Sequence, residues 1–282
     1  MPTLGTASEP VHDELLIAQV CPATRHAWAP DTGMTADIDQ VLTEEPLEIR
    51  VGHSPLAVVM RTPGHDIELA TGFTLTERIL PEHSAIERVA HCTTGEHADN
   101  VINVTPASHI KLDVRKFARN LYTTSSCGIC GKRSIELAMS EASPLTCWPQ
   151  FNREHLTFAP ANLRKQQAAF KLTGSSHAGG LLTQEGELLC VREDIGRHNA
   201  VDKVIGWGAR TQVDLTALCL LVSGRLSYEI VQKALAMGIS CICAVGGVSS
   251  LAIALAERSG IAVIGFTSEE KLSIYTFPER IT

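Results

Sequence analysis

The chain has 282 residues, of which 44% are hydrophobic and 20% are charged, so a packed core is expected and intrinsic disorder is not. The formal net charge is -7 and no long basic run occurs. This balance disfavours non-specific nucleic-acid binding but allows a local basic pocket for a phosphate. The N-terminus lacks a basic start followed by an apolar run, so no secretory signal is predicted and we expect a cytoplasmic protein.

Three regions of different pattern follow one another along the chain. Residues 1–42 are poorly periodic and are predicted to form a loosely ordered arm. Residues 43–156 are predicted to be rich in β-strands. They include two strands around a turn at Gly52 and His53, followed by a helix that ends before Pro81.

The pattern changes from residue 157 onward. A hairpin is predicted to turn at Glu185 and Gly186, and the chain then alternates between helices and short, nearly all-apolar strands. Asp194 is predicted to cap the helix that follows it. Apolar strands that alternate with helices are typical of a sheet covered on both faces, so residues 157–282 predict a three-layer α/β fold.

One uncharged stretch, residues 234–256, could be mistaken for a membrane span. It contains several glycines and serines and divides into a strand-like half and a helix-like half. We therefore expect a buried strand–helix unit there and no contact with a membrane.

The nine cysteines are spaced irregularly, which together with the lack of a secretory signal argues against a disulfide framework. Cys127 and Cys130 stand in a glycine-rich loop, SSCGICGK. Four others lie in apolar strand-like runs and are predicted to be buried core residues: Cys190, Cys219, Cys241 and Cys243.

The loop cysteines can be interpreted in several ways. A structural zinc site needs four ligands, and the nearest second pair, Cys241 and Cys243, lies in a buried strand, so we predict no stoichiometric zinc. A zinc deaminase would need proline before the first loop cysteine, where Ser126 stands. A thioredoxin-like dithiol and a tight turn with two idle thiols both stay open.

The local chemistry favours an exposed, nucleophilic sulfur in this loop. Gly128 and Gly131 permit backbone conformations that other residues avoid, so the loop can move. Lys132 and Arg133 follow at the start of a predicted helix, and both the cations and the helix dipole lower the pKa of a nearby thiol. The thiolate formed in this way is the species that attacks another sulfur.

Charged residues cluster at a predicted strand-to-helix junction, in the stretch VREDIGRHNAVDK. Arg197 and His198 are candidate donors to a phosphate or a pterin ring; the alternative is a capped helix with a solvated charged face. Arg225 belongs to a Ser-Gly-Arg run at the end of a buried strand, where α/β sheets usually bind ligands, although an ordinary turn fits as well. His65 is interpreted either as a polar core residue or as a site residue.

With these motifs in order, the sequence resembles the formate dehydrogenase accessory sulfurtransferases, the FdhD family. The resemblance runs from about residue 43 to the C-terminus. It rests on the cysteine loop and on four further blocks: EPLEIRVGHSPLAVVMRTPGHDIELATGFTLTE, LLCVREDIGRHNAVDKVIG, LLVSGRLSYEIVQKALAMGI and VIGFTSEEKLSIYTFPERI. It implies a fold similar to that of cytidine deaminases, without the catalytic zinc, and it implies a homodimer.

The resemblance also implies a sulfur relay. A cysteine desulfurase would pass persulfide sulfur to Cys127, with Cys130 as a partner or second carrier. The sulfur would then move to the molybdenum of a bis(molybdopterin guanine dinucleotide) cofactor destined for the catalytic subunit of formate dehydrogenase. Two rival functions use the same features: a thiol–disulfide oxidoreductase, and a non-catalytic chaperone that binds the molybdenum cofactor.

The family's cofactor segment corresponds here to six consecutive residues: Phe266, Thr267, Ser268, Glu269, Glu270 and Lys271. The family pattern has arginine at the third and sixth positions, where this chain has Ser268 and Lys271. A lysine ammonium cannot grip a phosphate with two parallel hydrogen bonds as a guanidinium does. We expect Glu269 and Glu270 to point to solvent or to the guanine edge.

Lys271 is the only cation in the segment 266–271, which yields a testable prediction. A charge-assisted hydrogen bond is worth roughly 1.5–3 kcal/mol. Lys271→Ala should therefore weaken the binding of guanosine diphosphate about ten- to hundred-fold, since about 1.4 kcal/mol is tenfold. Lys271→Arg should preserve or improve the affinity, because a guanidinium can bind two oxygens. Titration calorimetry measures both. Unchanged affinity in Lys271→Ala would place the phosphates elsewhere, with Arg197, His198 and Arg225 the next to test.

Overall fold

The computed structural model describes residues 12–95, 97–113, 144–146 and 148–282. The glycine-rich loop with Cys127 and Cys130 lies outside the described residues. Within the described part, the strands form three sheets, of two, four and six strands.

The N-terminal residues do not form the loosely ordered arm that the sequence predicts. Helix α1 (His12–Gln19) leads into a two-stranded antiparallel ribbon of β1 (Val20–Ala29) and β2 (Gly33–Leu42). The prediction is wrong for residues 12–42 because small and polar side chains interrupt the period that marks a half-buried strand. The order of the ribbon comes from its ladder of backbone hydrogen bonds, which depends little on the side chains.

A four-stranded sheet follows in the predicted β-rich region. Its strands are β3 (Glu45–Val51), β4 (Ser54–Arg61), β5 (Ile86–His91) and β6 (Val101–Pro106). Their order is β4-β3-β6-β5. The turn between β3 and β4 is at Gly52 and His53, as predicted, and both have positive φ angles, 54° and 69°, as the turns that match strand twist require. Helix α2 (Asp66–Thr76) packs its apolar residues against this sheet.

The C-terminal half contains the six-stranded sheet. Its strands are β7 (His177–Leu182), β8 (Leu188–Asp194), β9 (Cys219–Val222), β10 (Cys241–Ala244), β11 (Ala262–Gly265) and β12 (Ser273–Ile274). Their order is β12-β11-β10-β9-β7-β8. Strands β9, β10 and β11 are parallel, whereas β7 runs antiparallel to both β8 and β9. The hairpin turn predicted at Glu185 and Gly186 joins β7 to β8 and is confirmed.

Helices cover both faces of the six-stranded sheet, which confirms the predicted three-layer arrangement. They are α3 (Arg153–Gln166), α5 (Arg197–Thr211), α6 (Tyr228–Ala236) and α7 (Ser250–Ser259), while the short helix α4 (Ala168–Thr173) lies against the ribbon of β1 and β2. Successive residues of β9 show the two faces. Leu220 and Val222 pack with α5, α6 and α7, whereas Cys219 and Leu221 pack with α3 and the C-terminal segment. The four cysteines predicted to lie in the core are at most 4% exposed.

Two helices meet backbone to backbone between the sheets. A Cβ atom on Gly72 of α2 would lie 1.8 Å from the carbonyl oxygen of Asp202, and one on Gly206 of α5 would lie 1.9 Å from that of Glu68. Real Cβ atoms never approach so closely, so both positions require glycine. This contact joins the four-stranded sheet, which α2 covers, to the six-stranded sheet, which α5 covers.

The uncharged stretch 234–256 forms the end of α6, strand β10 and most of α7, as predicted. Among the residues that the structure describes, no helix is long and apolar enough to cross a membrane. The four-stranded sheet lies within residues 43–156 and the six-stranded sheet within residues 157–282.

The close helix contact predicts that Gly206→Ala destabilises the protein. Alanine in a helix is normally more stable than glycine by about 1 kcal/mol. Here the added Cβ meets backbone that cannot swing aside, and such overpacking typically costs about 1–3 kcal/mol. Gly208→Ala is the matched control in the same helix, because its Cβ would meet the movable end of the Leu215 side chain at 2.6 Å. Chemical denaturation of both variants measures the free energy of unfolding. Gly206→Ala should be the less stable of the two, and the reverse order would contradict the contact.

Candidate functional site

Four of the predicted site residues outside the cysteine loop come to one edge of the six-stranded sheet: Arg197, His198, Arg225 and Phe266. Strands β8 and β9 both run antiparallel to β7, so β8, β9, β10 and β11 all end at the same edge, and β7 begins there. We call this the carboxyl edge. Arg197 begins the helix that follows β8, and the loops after β9 and β11 contain Arg225 and Phe266 respectively. Such edges are where α/β sheets usually bind ligands.

The loops at this edge approach one another closely at glycine residues and are joined by backbone hydrogen bonds. A Cβ atom on Gly224 would lie 3.2 Å from His177 Nδ1 and 3.7 Å from Arg197 Cδ. The backbone N–H of Gly246 donates to the carbonyl oxygen of Gly224 at 3.1 Å, and that of Phe266 donates to the carbonyl oxygen of Gly246 at 3.0 Å. The loops after β9, β10 and β11 are therefore linked side by side, with little room for larger side chains.

Positive charge accumulates at the carboxyl edge. Neither Arg197 nor Arg225 forms an ion pair with a carboxylate in the described ranges. The Nε atom of Arg197 is buried and finds no hydrogen-bond partner there. Burial lowers the pKa of His177, and the nearby Arg197, His198 and Arg225 lower it further, against a weaker opposite effect of Asp194. The edge can therefore receive an anion, with His177 neutral beside it.

His198 faces a carboxylate of the neighbouring helix. Its Nε2 atom lies 2.8 Å from Glu229 Oε2, and the two side chains are only 10% and 9% exposed. One turn further along α5, Asp202 pairs with Lys233 of α6 at 2.8 Å. His198 and Asp202 therefore share a helix face, as their spacing predicts. That face packs on α6, so the alternative of a solvated charged face is wrong.

Asp194 does not cap α5 as predicted. It is the last residue of β8, and Gly196 occupies the N-cap position without a side-chain cap. The fully buried Asp194 carboxylate lies 2.7 Å from Lys203 Nζ and accepts hydrogen bonds from the Gly196 N–H and the Asn199 amide. The prediction is wrong because a buried ammonium nearly two turns into the helix, that of Lys203, competes for this carboxylate, which sequence spacing does not reveal.

The segment 266–271 leaves the carboxyl edge in two different environments. The Phe266 ring is 51% exposed and would lie 2.8 Å from a Cβ atom on Gly247, so it covers that glycine. Thr267 is buried and accepts a hydrogen bond from the Cys243 thiol at 3.4 Å, so its hydroxyl faces β10. Burial raises the pKa of Cys243 to about 12, which keeps that sulfur a thiol.

The rest of the segment forms a turn at the surface. The backbone N–H of Ser268 donates to the carbonyl oxygen of Lys271 at 2.8 Å. Glu269, Glu270 and Lys271 are exposed, which agrees with the expectation that the two carboxylates point to solvent. The turn carries two carboxylates and one ammonium, so it is a poorer place for a phosphate than the edge beside Arg197.

His65 lies on the wall of a separate cleft of about 1010 Å³. It precedes α2 in a left-handed conformation, with φ of 58°, and its Nδ1 atom lies 3.4 Å from Glu68 Oε2. Arg192 holds the same carboxylate through two hydrogen bonds, at 2.6 and 2.8 Å. His65 is therefore part of a partly buried polar cluster at the base of α2, remote in sequence from the carboxyl edge.

Sequence reasoning missed two residues of the edge. His177 is the first residue of β7 and is followed by small residues. The sequence predicted only that this stretch forms one strand of a hairpin and gave no sign of a site residue. Glu229 lies in the first turn of α6, where an acidic side chain ordinarily interacts favourably with the helix dipole. Cys127 and Cys130 lie outside the described residues, so their role as sulfur carriers stays a prediction. In the described ranges, no group of three or more His, Cys, Asp and Glu side chains could hold a metal ion.

Three comparisons relate the chain to known proteins. Residues 42–282 match the sequence model of the FdhD/NarQ family. A protein of Mycolicibacterium paratuberculosis named sulfur carrier protein FdhD is 44% identical over 250 residues, which cover 86% of this chain and 92% of that protein. One of Streptomyces coelicolor with the same name is 40% identical over 259 residues, which cover 89% and 92%.

A crystal structure from Desulfotalea psychrophila, described as that of a formate dehydrogenase accessory protein, superposes with a TM-score of 0.77. The match covers 94% of this chain and 100% of that one, at 22% identity. At this identity the likeness supports the fold alone. The similarity to cytidine deaminases is tested by none of these comparisons and stays a prediction.

The position of His177 predicts a pH dependence. Its pKa is lowered in the folded protein, so the unfolded chain takes up the proton first as the pH falls through about 6.5. Stability therefore decreases as the pH falls from there to the folded-state pKa. His177→Gln should lose less stability than the wild type between neutral and mildly acidic pH, as measured by denaturation at each pH. Removing the charge with Arg225→Gln should shrink this difference. Equal losses in wild type and His177→Gln would contradict the prediction.

Proposed function

The chain belongs to the FdhD/NarQ family, and we propose that it is a sulfur carrier that serves the maturation of a formate dehydrogenase. The observation that carries the proposal is the relation along almost the whole length to proteins named sulfur carrier protein FdhD, 92% of whose length aligns in both cases described. The Cys-x-x-Cys sequence supplies thiols that can accept the transferred sulfur.

The chemistry we propose is transfer of a sulfane sulfur. The Cys127 thiolate attacks the outer sulfur of a persulfide on the donor enzyme, the donor's inner sulfur leaves as a thiolate, and Cys127 then carries the persulfide. One S–S bond forms as another breaks, so no external oxidant or reductant is needed. Lys132 and Arg133 support this step, because cations near a thiol lower its pKa. Cys130 acts as a second acceptor.

The donor and the acceptor belong to the same proposal. The donor is a cysteine desulfurase, and the acceptor is the molybdenum bis(molybdopterin guanine dinucleotide) cofactor, bound as a substrate on its way to the formate dehydrogenase catalytic subunit. The carboxyl edge suits the nucleotide part of such a molecule. Arg197 and Arg225 are free of carboxylate partners in the described ranges and can bind phosphate.

The remaining parts of the acceptor also find suitable groups at the edge. Phe266 presents an exposed ring beside the edge, on which a guanine or pterin plane can stack. His198, whose Nε2 atom lies 2.8 Å from Glu229 Oε2, is a further candidate donor to the acceptor. Lys271 stands on a turn with two carboxylates, which repel a phosphate. We therefore expect Lys271 only to assist the phosphate contacts that Arg197 and Arg225 make.

Mass spectrometry of the intact protein tests the carrier function. After incubation with a cysteine desulfurase and free cysteine, the wild type should gain one sulfur atom. Cys127→Ala should fail to load, and Cys130→Ala should load partially, because Cys127 opens the loop and Cys130 lies nearer the predicted helix. Cys92→Ala is the matched control: this thiol is partly exposed and lies outside the loop, so its variant should load as the wild type does.

Each other outcome points to a different function. Loss of two hydrogens in place of a sulfur gain would identify a thiol–disulfide oxidoreductase. No mass change together with tight binding of the molybdenum cofactor would identify a non-catalytic chaperone. Wild-type loading in Cys127→Ala would refute the assignment of the carrier, and loss of loading in Cys130→Ala alone would exchange the roles of the two cysteines.

A further inference from the structure

His177 is a titratable residue of the carboxyl edge that has no part in the sulfur transfer described above. It is the first residue of β7, which begins at this edge. The register of the hairpin places it opposite Asp194, the last residue of β8. The side chain of His177 is only partly buried, so a ligand bound at the edge can contact its imidazole.

Two hydrogen bonds hold this end of β7 beside the loop that follows β9. The backbone N–H of Ser223 donates to the carbonyl oxygen of Ala178 at 2.9 Å, and the Ser223 hydroxyl accepts from the N–H of Ala178 at 2.8 Å. A Cβ atom on the next residue, Gly224, would lie 3.2 Å from His177 Nδ1 and 3.7 Å from Arg197 Cδ. The imidazole and the Arg197 side chain therefore converge on the same glycine.

Positive charge surrounds His177. Three basic residues face it: Arg197 and His198 from the start of α5, and Arg225 from the loop after β9. Burial and these neighbours lower the pKa of His177, while Asp194 on β8 opposes them more weakly. Each cation disfavours a further positive charge on the imidazole, so His177 is neutral at physiological pH.

The carboxylates near His177 are engaged by other cations. The Asp194 carboxylate lies 2.7 Å from Lys203 Nζ, and the Glu229 carboxylate lies 2.8 Å from His198 Nε2. Neither of them pairs with the two arginines, for which the described part of the chain shows no carboxylate partner. The protein itself therefore does not neutralise the charges that keep His177 unprotonated. An anion bound between the arginines would neutralise them.

We propose that His177, Arg197 and Arg225 form one phosphate-binding subsite, and that His177 takes up a proton from the solvent when a phosphate group binds there. The phosphate offsets the two guanidinium charges, and the imidazolium then donates a charge-assisted hydrogen bond to a phosphate oxygen. The inference rests on the proposed binding of a nucleotide at the carboxyl edge. It adds a third phosphate ligand, which is charged only in the complex.

Proton linkage determines how the affinity depends on pH. The pKa of His177 is higher in the complex than in the free protein, so the affinity rises as the pH falls through the range between these two values. A phosphate group itself titrates near about pH 6, and its protonation weakens binding as the pH falls. A variant without the imidazole retains the effect of the phosphate and loses that of His177. The ratio of the two affinities therefore isolates the residue.

Titration calorimetry of the full chain with guanosine diphosphate tests the proposal. At about pH 8.5 the wild type and His177→Gln should bind alike, because the imidazole is then neutral, and this also shows that the variant is folded. At about pH 6 the wild type should bind about tenfold more tightly, the ratio that a pKa difference of about one unit gives. In two buffers of different ionisation enthalpy near pH 6.5, the wild type should take up roughly half a proton more than the variant.

His155→Gln is the matched control, because His155 lies at the opposite edge, with its Nδ1 atom 2.9 Å from the carbonyl oxygen of Gln184 in the hairpin turn. This variant should bind and take up protons as the wild type does. Inorganic pyrophosphate should bind more weakly than the nucleotide and show the same extra proton uptake, whereas equal affinity would overturn the nucleotide as its source.

Three results would overturn the proposal. They are an affinity ratio of wild type to His177→Gln that stays constant with pH, equal proton uptake in the two proteins, and no binding of guanosine diphosphate to the wild type. Sulfur loading of the wild type is measured separately by mass. Failure to load would refute the carrier function without changing the calorimetry, so the two proposals can fail independently.

Discussion

The direct backbone contact between α2 and α5 is the constraint on which the rest of the structure depends. Gly72 and Gly206 let the two helices approach until a Cβ atom would overlap a carbonyl oxygen of the opposite helix. Each helix also covers one sheet, so this contact sets how the two sheets are placed. Because α5 begins at the carboxyl edge, the same contact fixes where Arg197 and His198 lie.

Buried ion pairs on both sides of this contact make it specific. Burial by itself would lower the pKa of Lys233, but the attraction of Asp202 and Glu77 outweighs burial and raises it, so the ammonium stays charged. On the other side, Lys203 is fully buried against Asp194 and donates to the carbonyl oxygen of Thr62. Removing one partner of such a pair typically costs about 3–5 kcal/mol, because a charge is left buried and alone. The pairs therefore allow one arrangement of α2, α5 and α6.

The cysteines divide into two chemical classes. Burial raises the pKa of both Cys219 and Cys243, so these sulfurs stay protonated in the core and are poor nucleophiles. Cys127 and Cys130 stand among glycines and are followed by two basic residues, a setting that favours the thiolate. A protein that handles reactive sulfur benefits from this division, because transferred sulfur is not lost to thiols that have no role in the transfer.

The sequence by itself determined the features that depend on local pattern. Gly52 and Gly186 indicate the two hairpin turns, and apolar strands that alternate with helices indicate the three-layer sheet. Both features can be predicted because turn geometry and the period of burial depend on residues that are neighbours in the sequence. The resemblance also selects residues 266–271, Cys127 and Cys130 as site candidates, and these assignments stay predictions.

Only the tertiary structure decided what depends on residues distant in sequence. Residues 20–42 form a ribbon through backbone pairing, and the carboxylate of Asp194 pairs with Lys203 instead of capping a helix. The tertiary structure brought His177 and Glu229 to the edge beside Arg197. In each case the partner depends on packing in three dimensions. A buried charge or hydrogen-bonding group is costly without a partner, so it pairs with the suitable group that packing brings near. Spacing along the chain does not predict which group that is.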